Sequence, residues 1–163
     1  MSNNFVNDDK LKRKKEYYFR QYFCQTQLIK DKRELISELN LTKKEILENP
    51  VYLSSLKQDD MPRDPNVNID SIVNKIIKQD EKIENIDNRI LKQVNQLNLY
   101  LKIFEDIEKM LQELTENQRQ VFFLTYRDKM RRIEVAYTLD VTERAIQYMK
   151  SEILRKADFI QED

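Results

Sequence analysis

Residues 69–114, "IDSIVNKIIKQDEKIENIDNRILKQVNQLNLYLKIFEDIEKMLQEL", decide the fold class. Ile69, Ile76, Ile83, Ile90, Leu97, Phe104 and Leu111 recur every seven residues without a miss. Three residues after each come Ile72, Gln79, Ile86, Gln93, Tyr100, Ile107 and Leu114. This is the a/d pattern of a helix that packs along one seam, with two polar d positions. As a single helix it runs about 70 Å at 1.5 Å per residue. A helix that long cannot bury its stripe alone. It must pair with an N-terminal helix folded back on it, with a second copy of itself, or with both. Ile76, Ile83, Ile90, Leu97 and Phe104 are the candidate oligomerisation residues. Gln79 and Gln93 either fix register between chains, or face an antiparallel partner or a solvent gap.

Composition agrees with an all-α fold. The 163 residues contain no glycine and no histidine, and one cysteine, Cys24. Without glycine, tight hairpins, bulges and phosphate-cradling loops lose their usual residue. That argues against an all-β fold, a P-loop or a dinucleotide-binding loop. Without histidine or a second cysteine, zinc fingers, disulfides and imidazole acid–base chemistry drop out. Cys24 reads as a small core residue. Asp59, Asp60 and Asp64 are the best carboxylate cluster, but a solvated linker explains them better than a metal does. The chain therefore reads as no enzyme, with no cofactor and no metal. No apolar run approaches the length of a membrane span, and a cytoplasmic location is expected.

Upstream of the heptads, Pro50, Pro62 and Pro65 fall close together, in and just before the polar run "KQDDMPRDPNVNID". Proline removes a backbone donor and restricts the residue before it. The main linker is placed at 57–68. Before it, residues 8–39 read as one long helix with Tyr18, Tyr22, Ile29, Ile36 and Leu39 on a stripe that Phe19 and Phe23 widen. Thr42 with Glu45 has the spacing of a capping box and predicts a short second helix. Asn49 and Pro50 look like the restart of another. The basic run "KLKRKK" at 10–15 reads as a solvated face in preference to a phosphate contact. The expected divisions are 1–56, the linker 57–68, the heptad helix 69–114, and a C-terminal domain 115–163.

Downstream, Thr115 with Gln118 gives a capping-box signature as the heptads end. Three helices of roughly 12, 9 and 15 residues follow, lengths that suit a helix-turn-helix. Ala136 is small where two helices approach. Val135 and Leu139 are apolar. Asp140 sits where a left-handed backbone is needed, a conformation that aspartate tolerates. Val141 is expected to tuck under the turn, and Thr142 to cap the next helix. Ile146, Met149 and Ile153 then give helix 142–156 a buried face. The opposite face carries Glu143, Arg144, Gln147, Lys150 and Ser151, bordered by Tyr148. These residue types match base edges: arginine to guanine, glutamine to adenine, a carboxylate to the cytosine amino group. Tyr148 can pack on sugar or a thymine methyl. Lys150 joins them as a base-contact candidate. Arg127, Lys129, Arg131 and Arg132 form a local basic cluster where a helix-turn-helix crosses the DNA backbone. With Thr142 and Ser151 they are the phosphate-contact candidates. The whole chain has zero net charge, so only this local arrangement speaks for nucleic acid.

The stretch "LTENQRQVFFLTYRDKMRRIEVAYTLDVTERAIQYMKSEILRK" resembles the region 4 helix-turn-helix of bacterial sigma factors, including the "DVT" turn. "DDMPRDPNVNID" with the long heptad helix resembles the ArpU/RinA-like late-gene transcriptional regulators of phages and prophages. Those join an N-terminal helix, a proline-containing linker, a long helix and a sigma-like helix-turn-helix. The resemblance spans about 59–156. It implies an activator of phage or mobile-element genes in a bacterial host, with DNA contacts from Thr142, Glu143, Arg144, Gln147 and Tyr148. The chain departs from that pattern at Asp140, where glycine is commoner, and at "MRRIEV". The expected partners are double-stranded DNA, RNA polymerase as a second candidate, and further copies of the chain through helices 8–39 and 69–114. Rival readings are a sigma-like polymerase-binding factor, a DNA-packaging recognition subunit, and a coiled-coil interaction module without DNA binding.

Overall fold

The computed structural model describes residues 3–49 and 69–161, with side chains described over 8–49 and 72–161. The fold is all-α, and no strand occurs among the described residues. Helices α1 (Asn3–Phe23) and α2 (Gln25–Glu48) precede the long α3 (Ile69–Glu113). Then come α4 (Glu116–Phe122), a π-helical turn (Phe123–Arg127), α5 (Arg132–Thr138) and α6 (Glu143–Lys156). The expected linker 57–68, Asp59, Asp60 and Asp64, and the expected restart after Pro50 lie outside the described residues.

Two compact units emerge. In the unit 29–97, the described parts of α2 and α3 form a helical hairpin. The chain up to Leu28 joins the chain from Asn98 onward in a second unit, called the head below. Both cut across the divisions expected from sequence: 1–56 and 69–114 each contribute to both units.

In the hairpin, α2 and α3 run antiparallel. Lys32 donates to the side-chain oxygens of Gln93 (2.6 Å) and Gln96 (2.9 Å). Lys43 pairs with both carboxylate oxygens of Asp87, at 2.6 and 2.7 Å. Gln79 donates to the Ile46 carbonyl at 2.8 Å. As α2 rises in number, its partners in α3 fall. The two polar d positions therefore meet a helix of the same chain. Gln79 has a specific task. Residue 50 is proline, so the Ile46 carbonyl has no i+4 amide to accept from, and the Gln79 amide takes that place. The hairpin buries little: Leu39 and Ile86 are the residues of its seam that are nearly fully covered.

The head has a dense aromatic core. Phe19 is fully buried, its ring 5.0 Å from that of Phe122 and 5.1 Å from that of Tyr126. Tyr22 reaches Phe104, and Phe23 reaches Phe122 and Phe123. Phe104, Ile107, Met110 and Leu111 from α3, and Leu114 just after it, close the core with Val121, Val135, Ile146, Ile153, Ala157 and Ile160. At this scale, burial of a large side chain stabilises by about 1.5–3 kcal/mol. An N-terminal helix is thus structurally part of the C-terminal domain.

Four local expectations need correcting. The long helix breaks at Cys24, whose amide donates to the Gln21 carbonyl in a tightened turn. The thiol is exposed there, not in the core, while Tyr22 and Phe23 take the core positions. Thr42 caps no helix. It lies inside α2, its hydroxyl donating to the Glu38 carbonyl at 3.0 Å. Val141 stays substantially exposed instead of tucking under the turn.

Candidate nucleic-acid interface

The outward face of α6 is set by the two caps and the turn around it. Thr115 starts α4 with a reciprocal capping box: its hydroxyl accepts from the Gln118 amide and the Gln118 side chain accepts from the Thr115 amide. The helix then widens into the π turn, where the Asp128 amide donates to Phe123 and the Met130 amide to Leu124. Lys129 follows with φ 57°, and α5 begins. Glu134 caps α5 from its third residue, its carboxylate accepting from the Arg131 amide (2.6 Å) and guanidinium (2.9 and 3.1 Å). Those bonds hold the Glu134 carboxyl below its ordinary pKa, the backbone bond most of all.

The turn between α5 and α6 is a Schellman motif. The Val141 amide donates to the Ala136 carbonyl, and the Asp140 amide to Tyr137. Asp140 takes φ 52°, the left-handed position where glycine is usual. Thr142 then caps α6, its hydroxyl accepting from the Ala145 amide at 3.2 Å. Ile146 and Ile153 are fully buried and Met149 is half-buried. This anchors the inner face of α6 and turns the other outward.

The far end of α6 is held by lysines. Lys15 donates to the Leu154 carbonyl at 2.9 Å, and Lys14 to the Gln161 carbonyl at 2.8 Å. Burial lowers the Lys15 pKa, against the pull of Asp158 and Asp8. Lys156 donates to the Glu113 carbonyl. Cations at helix C-termini satisfy orphan carbonyls and complement the helix dipole. Part of the basic run at 10–15 is therefore neither a free solvated face nor a free phosphate clamp.

The predicted contact residues divide into groups. Arg144, Gln147 and Tyr148 are exposed on α6, Tyr148 at 67 %. Thr142 is exposed at its start. Lys129 and Arg144 have no ion pair among the described residues. Arg127 pairs with Asp128 at 2.8 Å and lies over the Phe123 ring. Arg131 is engaged with Glu134, as above. Arg132 pairs with Glu143 at 2.7 Å and donates to the Gln147 side chain at 3.4 Å. Ser151 is exposed, its hydroxyl donating to the Gln147 carbonyl. Lys150 departs from the expected face. It turns toward Glu16 of α1 (3.7 Å) and sits over the Tyr126 ring (5.6 Å), so it belongs to the head's interior edge.

The oligomerisation candidates also divide. Ile76 is 36 % exposed, while Ile83, Ile90 and Leu97 are half-buried. Phe104 is only 2 % exposed, packed against Tyr22 and Tyr100, so its surface is used within the chain. Two exposed apolar residues escaped the sequence reading: Ile133 (59 %) and Tyr137 (90 %), one turn apart on α5. No spacing signal marks Ile133 as exposed, since it lies three residues before the buried Ala136.

No family model, curated protein or solved structure matches this chain. Among the described residues no helix is long and apolar enough to cross a membrane.

Proposed function

We propose that the protein is a sequence-specific DNA-binding transcriptional regulator that reads the major groove with the outward face of α6. The observation that carries this reading is the exposed triplet Arg144, Gln147 and Tyr148, just inside a Thr142-capped helix start, after a left-handed Asp140 turn. A rigid inner face fixed by Ile146 and Ile153 holds that triplet in place. Lys129 and the N-terminus of α6 supply positive potential for phosphates. Arg127 and Arg131 each carry an acidic partner, so their phosphate contacts require an exchange of ion pairs. The incompletely covered part of the heptad stripe, with exposed Ile76 and half-buried Ile83 and Ile90, would join two copies and so two heads. The resemblance to phage late-gene regulators supports an activator.

Selection of bound duplexes from a random library tests the reading, with the Arg144→Ala, Gln147→Ala double variant in parallel. One enriched motif, lost in the double variant, is the expected result. An equal motif from both proteins would remove the assignment to α6. A second reading, a polymerase-binding factor, draws on the exposed Ile133 and Tyr137. It expects polymerase to be retained on the immobilised protein without DNA, and released by Tyr137→Ala.

A further inference from the structure

The Arg132 guanidinium lies across two successive turns of the outward face of α6. Its Nε donates to Glu143 Oε2 at 2.7 Å and its Nη1 to Gln147 Oε1 at 3.4 Å. Glu143 and Gln147 are four residues apart and share one face. One planar fork from α5 therefore touches both of these side chains of α6.

We infer that Arg132 is a positioning residue, which couples the base preferences of Glu143 and Gln147 by setting which of their polar atoms face outward. The inference rests on the DNA reading above. A carboxylate only accepts, so with Oε2 engaged, Glu143 presents Oε1. With Gln147 Oε1 engaged, its amide nitrogen keeps both donors open. The pair thus offers one acceptor and one donor group side by side. Without the fork each side chain explores its own rotamers. A lysine cannot substitute fully: its ammonium is a compact charge on a flexible stem and lacks the rigid geometry of guanidinium. Arg144 lies on the same helix outside this network and serves as an internal control.

The alternative role for Arg132 is a plain phosphate anchor. An anchor adds affinity uniformly across sequences and adds about one to the salt slope. The experiment uses the full chain and the duplex that it enriches. Variants Glu143→Ala, Gln147→Ala and Arg144→Ala first map which base each residue reads. Binding of Arg132→Ala and Arg132→Lys is then measured on every single-base substitution of that duplex. Arg132 is an exposed side chain, and thermal melting verifies that both variants fold. The expected result is a joint loss of preference in Arg132→Ala, about tenfold at the Glu143 and Gln147 positions, with the Arg144 position unchanged. Arg132→Lys should not restore the joint preference, and neither variant should change the salt slope. A uniform loss in Arg132→Ala, fully rescued by Arg132→Lys, overturns the positioning role and leaves the DNA reading standing. If the unaltered chain enriches no duplex at all, the DNA reading falls and this inference falls with it.

Discussion

The same heptad stripe meets two different fates along α3. In the hairpin, Ile76 remains 36 % exposed and Ile86 is the stripe residue most fully covered. In the head, Phe104, Ile107, Leu111 and Leu114 are all buried, Ile107 completely. Nothing in the seven-residue period separates the two stretches. The difference lies in the partners. Among the described residues, α2 alone lies against the stripe in the hairpin, whereas in the head α1, α4, the π turn, α5 and α6 all contribute to the core. A heptad pattern specifies which face is to be covered and leaves open how much of it is.

The largest predicted effect is on the head. Phe19→Ala removes a fully buried ring from between Phe122 and Tyr126, and should cost about 3–5 kcal/mol in urea unfolding. It should also abolish DNA binding, although Phe19 lies more than a hundred residues before α6. Loss of less than about 1 kcal/mol would mean that α1 is a peripheral strap. Ile86→Ala is the matching change in the hairpin. It should cost about 2 kcal/mol, near the low end for an aliphatic truncation, because one helix rather than several lines its site. A cost equal to that of Phe19→Ala would erase the contrast between the units.

Much of this was legible in the sequence, and particular residues show why the rest was not. The heptads, the Thr115 and Thr142 caps and the left-handed Asp140 turn are local, and short spacing was enough to read them. The Thr42–Glu45 spacing has the same formula as Thr115–Gln118, yet only the latter caps a helix. The chain before Thr115 leaves the helix, whereas the chain before Thr42 does not. The entry of α1 into the head depends on contacts between Phe19 and residues a hundred positions away, which no local pattern carries. Helical spacing places Lys150 on the outward face. Only the presence of Glu16 and Tyr126 draws it inward.

Smaller predictions sharpen the same comparison. The Tyr126 hydroxyl is buried without a hydrogen-bond partner among the described residues. Tyr126→Phe removes that unmet cost and should leave stability unchanged or raise it by up to about 1 kcal/mol. Burial raises the Tyr126 pKa above the ordinary 10.0, with Glu16 adding to it. Burial likewise raises Tyr22, with Glu108, and Tyr100, with the Tyr17 hydroxyl. Folded tyrosines thus keep their protons when unfolded ones release theirs. Their contribution is complete below pH 10.0 and is lost as pH rises beyond it. Urea midpoints measured on either side of that value should fall on the alkaline side, and fall less in Tyr126→Phe. The hairpin's Lys43–Asp87 pair is partly exposed, and Lys43→Ala should cost less than about 1 kcal/mol.

The most direct test is amide hydrogen exchange, recorded with and without the duplex that the chain enriches. If α6 reads DNA, added protection falls on residues 129–132 and on the first turns of α6 from Thr142, and α2 is unchanged. Protection confined to the hairpin, or none on α6, would contradict the account.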